Sequence, residues 1–308
     1  MSEQDSNIVA AEAVPAQGRL SAGALSVLAA GILWGTTGTT QALAPTGVTP
    51  ISIGAMRLVV GGAALLVLAL VRGGFGKIKW PLLPTLLAAA CVAAYQLCFF
   101  QAVSRTGVAV GTLVGIGSSP VMAGILGFIF RGERPQRSWV VATVLAIFGC
   151  TLLACGGGSI AIDPLGIVLA LGAGASYASY TVAIKGLLPG RTPDAVMAVV
   201  FCAGALLLSP LLLKCDLHWM AAPKGIAVII YLGVFVTALS YWLFVRGLRT
   251  VPVATAVTLS LAEPLTAALL GILVLGERLS LTALCGIPLL FAGLAVLAGS
   301  ASGKEKGE

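Results

Sequence analysis

Charged side chains are scarce in this chain. Asp, Glu, Lys and Arg together make up 9% of its 308 residues, whereas soluble globular proteins carry about 25%. The mean hydropathy is correspondingly high, at +1.05. A soluble enzyme is therefore excluded. The polar segments between the apolar runs are too short to form a sizeable soluble domain, so any function must lie between helices.

The residues that build metal, redox and nucleotide sites are also few. The chain has a single histidine, His218, and its seven cysteines form no C-x-x-C pair, which argues against a zinc site or a disulfide framework. It has neither a G-x-x-x-x-G-K-[ST] phosphate loop nor an H-E-x-x-H motif. Its basic residues stand singly at the ends of apolar runs, unlike the stripe of a nucleic-acid-binding face. We therefore expect no catalytic residues, cofactor, metal or nucleic-acid partner, and no direct use of ATP.

Ten apolar runs are long enough to cross a bilayer, which takes about 20 residues each. Gly, Pro or charged residues separate them. The runs cover residues 21–43, 50–71, 81–103, 107–130, 138–155, 164–188, 194–213, 224–247, 252–275 and 279–299. They lack the alternation of barrel strands. The sequence therefore predicts an all-α polytopic membrane protein with ten transmembrane helices.

The distribution of Lys and Arg predicts the orientation of these helices. With the N-terminus inside, the inner segments hold 13 basic residues and the outer loops hold four, and Arg57 lies within the second run. Because short cytoplasmic loops carry an excess of Lys and Arg, both termini are predicted to be cytoplasmic. Residues 1–20 lack the basic start of a cleaved secretory signal. They are predicted to form a disordered cytoplasmic tail, and residues 300–308 a second one.

The chain contains an internal repeat. A shift of 144 residues aligns residues 105–134 with 249–278 without a gap and gives nine identities in thirty positions, where chance in this composition gives roughly three. Both copies contain a proline, Pro120 or Pro264, and both end in Gly-Glu-Arg. Since five crossings separate the copies, they must face opposite sides of the membrane. Inverted five-helix repeats are typical of secondary transporters, which bind substrate near the bilayer midplane.

These motifs resemble those of the EamA-type drug/metabolite transporters. The resemblance rests on Trp34-Gly35, on Pro120 with the first Gly-Glu-Arg turn, and on Glu263-Pro264 with the second. It covers about residues 21–299. It implies two EamA-like modules, at residues 21–155 and 164–299, and a bacterial inner-membrane exporter of small metabolites, with amino acids as the expected substrates.

Other functions stay open at this stage. A nucleotide-sugar or sugar-phosphate carrier of the same fold would need two or more basic residues in its cavity. An intramembrane enzyme would need a catalytic pair or metal cluster at depth, and a structural membrane subunit would need no cavity at all. For a carrier that works by alternating access, the partners are a small-molecule substrate and membrane lipid. Proton coupling and facilitated diffusion are both open.

Two charged residues, Glu263 and Arg57, lie well away from the ends of their predicted spans. Glu263 stands eleven residues beyond Pro252, about 16 Å deep, where a charge costs about 3 kcal/mol or more and usually faces a cavity. It is predicted either to bind a substrate ammonium or a proton, or to cap the kink at Pro264. Arg57 lies roughly 10 Å deep. It either snorkels to the interface or faces a cavity, where it pairs with Glu263 or receives a substrate carboxylate.

Aromatic and polar residues far from any helix end form a second group of candidates for substrate binding. They are Trp34, Tyr95, Gln96, Tyr177, Tyr180, Thr237, Tyr241 and Trp242. They either line a cavity that accepts an amino acid or pack helices through interhelical hydrogen bonds.

Small residues and prolines within the spans form a third group, assigned to hinges or close packing. They are Gly31, Gly35, Gly107, Gly111, Gly115, Pro120 and Pro264. Such residues either hold helices in close static contact or allow sliding and bending during transport.

Overall fold

The computed structural model describes residues 21–76, 79–155, 163–276 and 280–302, and these contain ten helices long and apolar enough to cross a membrane. This confirms the predicted fold class. The predicted N-terminal tail, Glu277, Arg278 and residues 303–308 lie outside the described residues. The ten helices are α1 (Ala22–Ala42), α2 (Ile51–Val71), α3 (Leu82–Thr106), α4 (Val110–Arg131), α5 (Arg137–Ala154), α6 (Pro164–Leu187), α7 (Pro193–Leu212), α8 (Pro223–Leu248), α9 (Val253–Leu275) and α10 (Leu281–Ser300).

Polar caps fix where several of these helices begin. The Ser21 hydroxyl accepts a hydrogen bond from the Ala24 amide at 3.1 Å, at the start of α1. Thr49 and Ser52 form a capping box at the start of α2, and the Asp163 carboxylate accepts from the first amides of α6. Each cap satisfies amides that have no partner within the helix. The helix boundaries therefore follow from local sequence as well as from hydropathy.

Two glycines end corresponding helices of the two repeats. Gly132, after α4, has φ 66°, and Gly276, after α9, has φ 68°. A side chain at either position would be strained, because only glycine adopts this left-handed conformation freely. The glycine of each predicted Gly-Glu-Arg turn thus ends its helix in the same way.

A tight reversal joins α3 to α4. The helical trace is continuous from Leu82 to Arg131, yet a Cβ built on Gly111 would lie 2.9 Å from the Cα of Val103. Eight residues of straight helix would separate these positions by about 12 Å. The chain therefore turns back between α3 and α4, and Gly111 lies against Val103 where the two helices meet.

Corresponding helices of the two modules have corresponding neighbours. Helix α1 packs on α8 and α9, and α6 packs on α3 and α4, while α2 contacts α7 and α5 contacts α10. Exchanging the first five helices with the last five reproduces the same set of neighbours. Because each module has an odd number of crossings, the modules are inverted relative to each other.

Contacts between helix ends agree with strict alternation across the membrane. We call the face that holds the start of α1 and the end of α10 the termini side, and the opposite face the far side. Lys185 and Glu133 pair on the termini side, and Arg105 and Asp163 pair on the far side. Large apolar side chains, among them Val71 and Leu273, are exposed on the outer surface. Such a surface suits lipid, so the protein is a multi-pass membrane protein.

Candidate functional site

A cavity of about 70 Å³ lies between the two modules. Seven helices supply charged, aromatic and hydroxyl side chains to its wall: α1, α2, α3 and α4 of the first module and α6, α8 and α9 of the second. The lining residues are Trp34, Thr37, Gln41, Arg57, Tyr95, Phe99, Phe100, Gly115, Ile116, Tyr177, Tyr241, Ser260 and Glu263.

A break in α9 brings Glu263 to this cavity. The helix is interrupted at Ser260 and Leu261, just before Pro264, which has no amide hydrogen to continue the ladder. The Glu263 amide donates to the Ser260 carbonyl at 2.9 Å, which tightens the turn. The Ser260 hydroxyl accepts from the Tyr177 hydroxyl at 3.1 Å and so joins α6 to the break. Unwound helices of this kind are common at transporter binding sites.

The Glu263 carboxylate has no hydrogen bond or ion pair within the described part of the chain. Arg57 lines the same cavity, but its guanidinium and the carboxylate are more than 4.0 Å apart. An acidic and a basic side chain therefore face one cavity without pairing directly. Such an arrangement suits a ligand that carries both charges.

Gln96 lies behind Arg57 and holds its guanidinium. The Arg57 Nη2 donates to Gln96 Oε1 at 3.1 Å, and Gln96 Nε2 donates to the Gly54 carbonyl at 3.2 Å. Gln96 is only 4% exposed and does not line the central cavity. The amide therefore links the arginine to the backbone of its own helix, α2, through one guanidinium nitrogen.

Aromatic rings close the cavity on the termini side. Trp34 lies against Tyr241 and Phe244, with ring centroids 4.7 and 5.3 Å apart, and meets Tyr177 edge-on at 6.4 Å. The Trp34 Nε1 and the Tyr180 hydroxyl are buried and have no hydrogen-bond partner among the described residues. Buried polar groups are normally satisfied, and Trp34 lines the cavity, so its Nε1 is placed to bind a polar ligand or water.

The far side of the cavity is reached along α1. Thr37 and Gln41, one and two turns beyond Trp34, line the cavity and are only partly buried. The residues toward the termini side are, by contrast, closely packed rings. The structure is therefore closed toward the termini side and approached from the far side.

The remaining candidates divide between a smaller chamber and the protein surface. Tyr180, Thr237 and Gln96 line a chamber of about 10 Å³ that shares Arg57 and Tyr241 with the main cavity; it has room for about one water molecule. The Thr237 hydroxyl donates to the Leu232 carbonyl five residues earlier, in a π-helical stretch of α8, Tyr231–Leu239.

Trp242 lies outside both chambers. The guanidinium groups of Arg72 and Arg246 lie over its ring, 5.6 and 5.4 Å from the centroid. Trp242 directly follows Tyr241, and successive helical residues point about 100° apart, so the two cannot both face the cavity. Its cation–π contacts are those of an interfacial anchor.

Three of the predicted glycines, Gly31, Gly35 and Gly115, lie at close contacts between helices. A Cβ on Gly31 would lie 3.0 Å from Ala262, and one on Gly35 would lie 2.6 Å from the Glu263 carbonyl, so α1 packs directly on the broken region of α9. Gly115 lines the cavity, where α4 meets α6. Pro120 leaves the Ile116 carbonyl without its helical donor, and the Ser119 hydroxyl donates to that carbonyl at 2.6 Å.

Comparison with known proteins identifies the family. The model of the EamA-like transporter family matches residues 21–155 and again residues 164–299. The chain belongs to the EamA-like transporter family. This confirms the resemblance that its motifs indicated, and it makes the protein a transporter.

Relatives of this EamA-like transporter carry transporter names. It is 46% identical to the transporter YwfM of Bacillus subtilis, over 92% of this chain and 95% of the relative. It is 35% identical to the threonine/homoserine exporter RhtA of Salmonella typhimurium, but over only 52% of this chain and 54% of RhtA. A protein crystal structure with 21% identity has the same fold, with a TM-score of 0.79 over 91% of this chain and 99% of the other.

Three polar lining residues of this EamA-like transporter were not among the sequence candidates, and neither were the apolar lining residues Phe99, Phe100 and Ile116. Thr37 and Gln41 follow Trp34 at i+3 and i+7 on one face of α1, and Ser260 precedes Glu263 by three residues. Helical spacing from a residue already chosen would have found all three. Uncharged polar residues are common in transmembrane packing, so without that spacing they carry little signal.

Proposed function

We propose that this transporter exports small amino acids across the bacterial inner membrane by alternating access. The observation that carries the proposal is that Arg57 and Glu263 face one cavity without forming an ion pair. An amino acid is a zwitterion, so its ammonium group binds Glu263 and its carboxylate binds Arg57. The planar guanidinium accepts a carboxylate through two parallel hydrogen bonds.

The other proposed site residues act around this pair. Gln96 orients Arg57, and the rings of Trp34, Tyr95 and Tyr241 form the wall for the substrate side chain. The Trp34 Nε1, which has no partner among the described residues, is free to donate to the substrate. A few polar groups in an apolar wall are typical of small-molecule sites.

The size of the cavity favours a small substrate. Its volume of about 70 Å³ equals roughly five water molecules at about 10–15 Å³ each. A small amino acid suits this volume, whereas an aromatic one would need the cavity to widen. The relative RhtA is named a threonine/homoserine exporter, and these are small amino acids, so threonine and homoserine are the first substrates to test.

A phosphorylated substrate is less suited to this cavity. Nucleotide sugars and sugar phosphates carry one or more phosphate charges, which two or more basic residues would balance. Among the described residues that line the cavity, Arg57 is the sole cation, and Glu263 would repel a phosphate. The charge balance therefore favours the amino acid.

The orientation of the protein follows from its charge distribution. The termini side carries 13 of the 18 basic residues by the sequence count, so we place it, with the tails at residues 1–20 and 300–308, in the cytoplasm. The modules at residues 21–155 and 164–299 then move relative to each other, with Pro120, Pro264 and the packed glycines at the moving contacts. Glu263 is the acid through which a proton would couple to transport.

Counterflow of radiolabelled threonine and homoserine into proteoliposomes tests the proposal. Wild-type protein should transport both, and flux equal to that of empty liposomes would reject the assignment. Arg57→Gln and Glu263→Gln should each raise the half-saturation concentration about 10- to 100-fold, since a hydrogen bond to a charged group contributes about 1.5–3 kcal/mol. As controls, Asp216→Asn and Lys224→Gln remove charges from exposed positions. They should change the half-saturation concentration less than about twofold.

Substrate analogues assign the two charges separately. Threonine amide lacks the carboxylate, so wild-type protein should discriminate against it and Arg57→Gln should not. The decarboxylated amine should behave in the same way. If Arg57→Gln still discriminates fully, Arg57 does not bind the carboxylate. An imposed pH gradient that leaves the wild-type rate unchanged would reject obligatory proton coupling.

A further inference from the structure

Glu133 forms an unusual set of contacts on the termini side. It follows Gly132 in the turn after α4, which belongs to the first module. One carboxylate oxygen accepts from the Lys185 Nζ at 2.7 Å, and the other accepts from the Val253 amide at 2.6 Å. Lys185 also donates to the Val251 carbonyl at 2.6 Å. One carboxylate and one ammonium thus join the end of α4 to the end of α6 and the start of α9.

The side chains that form these bonds are mostly but not fully buried, and Glu133 also lines a cavity of about 220 Å³ on the termini side. The side chains of Lys185 and Glu133 are 14% and 19% exposed, whereas those of the far-side pair, Arg105 and Asp163, are 43% and 32% exposed. Charged hydrogen bonds that lose most of their water strengthen as the dielectric falls, and removal of one partner leaves the other charge unpaired. Helix α9 begins at Val253 without a side-chain cap of its own, so Glu133 supplies the acceptor that its first amide needs.

The contacts cross between the modules where a pathway from the termini side would have to open. On α6, Tyr177 lines the cavity, Thr181 is fully buried, and Lys185 binds Glu133. The spacing of four places these three residues on one helix face. This face runs from the cavity to the Glu133 contacts, so access from the termini side requires α4, α6 and α9 to separate there.

We propose that Glu133 and Lys185 form a latch that keeps the termini side closed, and that substrate enters from that side only when the latch opens. The proposal rests on alternating access by this transporter but not on the identity of the substrate. Intact, the latch holds the state seen here, in which the cavity is approached from the far side. Opening it exchanges bonds between modules for contacts with water, which a carrier must do reversibly in every cycle.

A cysteine at position 181 reports on the latch. In membrane vesicles, a membrane-impermeant thiol reagent is added on the termini side, and labelling of Thr181→Cys is measured above that of the same chain without the added cysteine. Labelling should be slow when the latch is intact. Glu133→Gln and Lys185→Met should each raise the labelling rate at least about tenfold. With the latch intact, the open state is a minor state populated at about 0.1–10%, and loss of the latch makes it a major state.

Two matched variants serve as controls. Lys185→Arg keeps the charge and the donors, so labelling should remain slow. Asp163→Asn breaks the exposed far-side pair and should not raise labelling from the termini side. The labelling assay needs no substrate, so its result is independent of the amino-acid assignment.

The outcomes separate a latch from a structural contact. Equal labelling rates in Glu133→Gln and in the unaltered chain, with both proteins monodisperse, would overturn the proposal. Loss of folded protein in Glu133→Gln and Lys185→Met, without faster labelling of the fraction that remains folded, would also overturn it, because the bonds would then only hold the fold together. Fast labelling in Lys185→Arg would contradict the role assigned to the charge.

Discussion

Replacement of Gly35 by alanine should separate the two helices that carry the site. A Cβ at this position would lie 2.5 Å from the Thr266 Cβ and 2.6 Å from the Glu263 carbonyl oxygen. Non-bonded carbon atoms normally approach to about 3.5–4.0 Å, so α1 must move away from α9 by about 1 Å. Because one of the two obstacles is backbone, no change of side-chain rotamer relieves the contact.

The expected loss of folding stability in Gly35→Ala is that of an overpacked contact, about 1–3 kcal/mol. Gly38, one turn further along α1, provides the matched control, since no described atom lies within 4 Å of its Cβ position. There the same substitution should gain about 0.5–1 kcal/mol, because alanine favours the helix more than glycine does. The free energies of unfolding of the two variants should therefore differ by about 1.5–4 kcal/mol.

Two measurements check this prediction. Denaturation of the purified protein in detergent gives the stability difference, and counterflow in proteoliposomes gives the transport rate. Gly35→Ala should lose stability and also transport, because Trp34 and Glu263 line the cavity from helices that are forced apart. Gly38→Ala should retain both. A Gly35→Ala protein as stable and as active as Gly38→Ala would refute the reasoning.

Two further predictions concern hydrogen-bonded pairs. Tyr177→Phe and Ser260→Ala should each cost about 0.5–1.5 kcal/mol of stability. Because the two hydroxyls are 3.1 Å apart, a double-mutant cycle should find most of this loss as a coupling energy between the two residues. Additive effects of the two substitutions would contradict the hydrogen bond. On the far side, the Arg105 guanidinium holds the pKa of Asp163 below its ordinary value of 3.8. The pair should therefore stabilise the fold at neutral pH, and this stabilisation should be lost as the pH falls below about 4. Asp163→Asn should remove this dependence, and thermal denaturation at pH 7 and pH 3 measures it.

Hydropathy and repetition predicted the architecture because they are properties of whole segments. Ten apolar runs give ten crossings, and nine identities in a thirty-residue alignment reveal the duplication even though each motif is short. The proline in each copy also had a local consequence that could be anticipated. Pro264 lies just after the break in α9, where the chain must lose a helical hydrogen bond.

The direction in which each side chain points was much harder to predict. In a soluble helix one face is apolar and one polar, but a transmembrane helix is apolar toward both lipid and protein. Tyr241 and Trp242 were therefore equivalent candidates, although one lines the cavity and the other lies beneath two arginines. Gln96 was predicted as a site residue without its partner Arg57, because nothing in the sequence indicates which residue of α2 it meets. Lys185 gave no sign of its pairing with Glu133, 52 residues away.

The two copies of the repeat differ at the residue that precedes the shared proline. The shift of 144 residues that pairs Pro120 with Pro264 also pairs Ser119 with Glu263. In the first copy, the serine hydroxyl satisfies the carbonyl that the proline leaves free, and the helix remains continuous. In the second copy, the helix breaks and a carboxylate faces the cavity. Both modules thus place a proline at this position, but of the two only the second places an acid before it. A symmetric pair of acids would repel each other in a cavity of this size, so a duplicated fold that binds a single ammonium group must lose its symmetry at this residue.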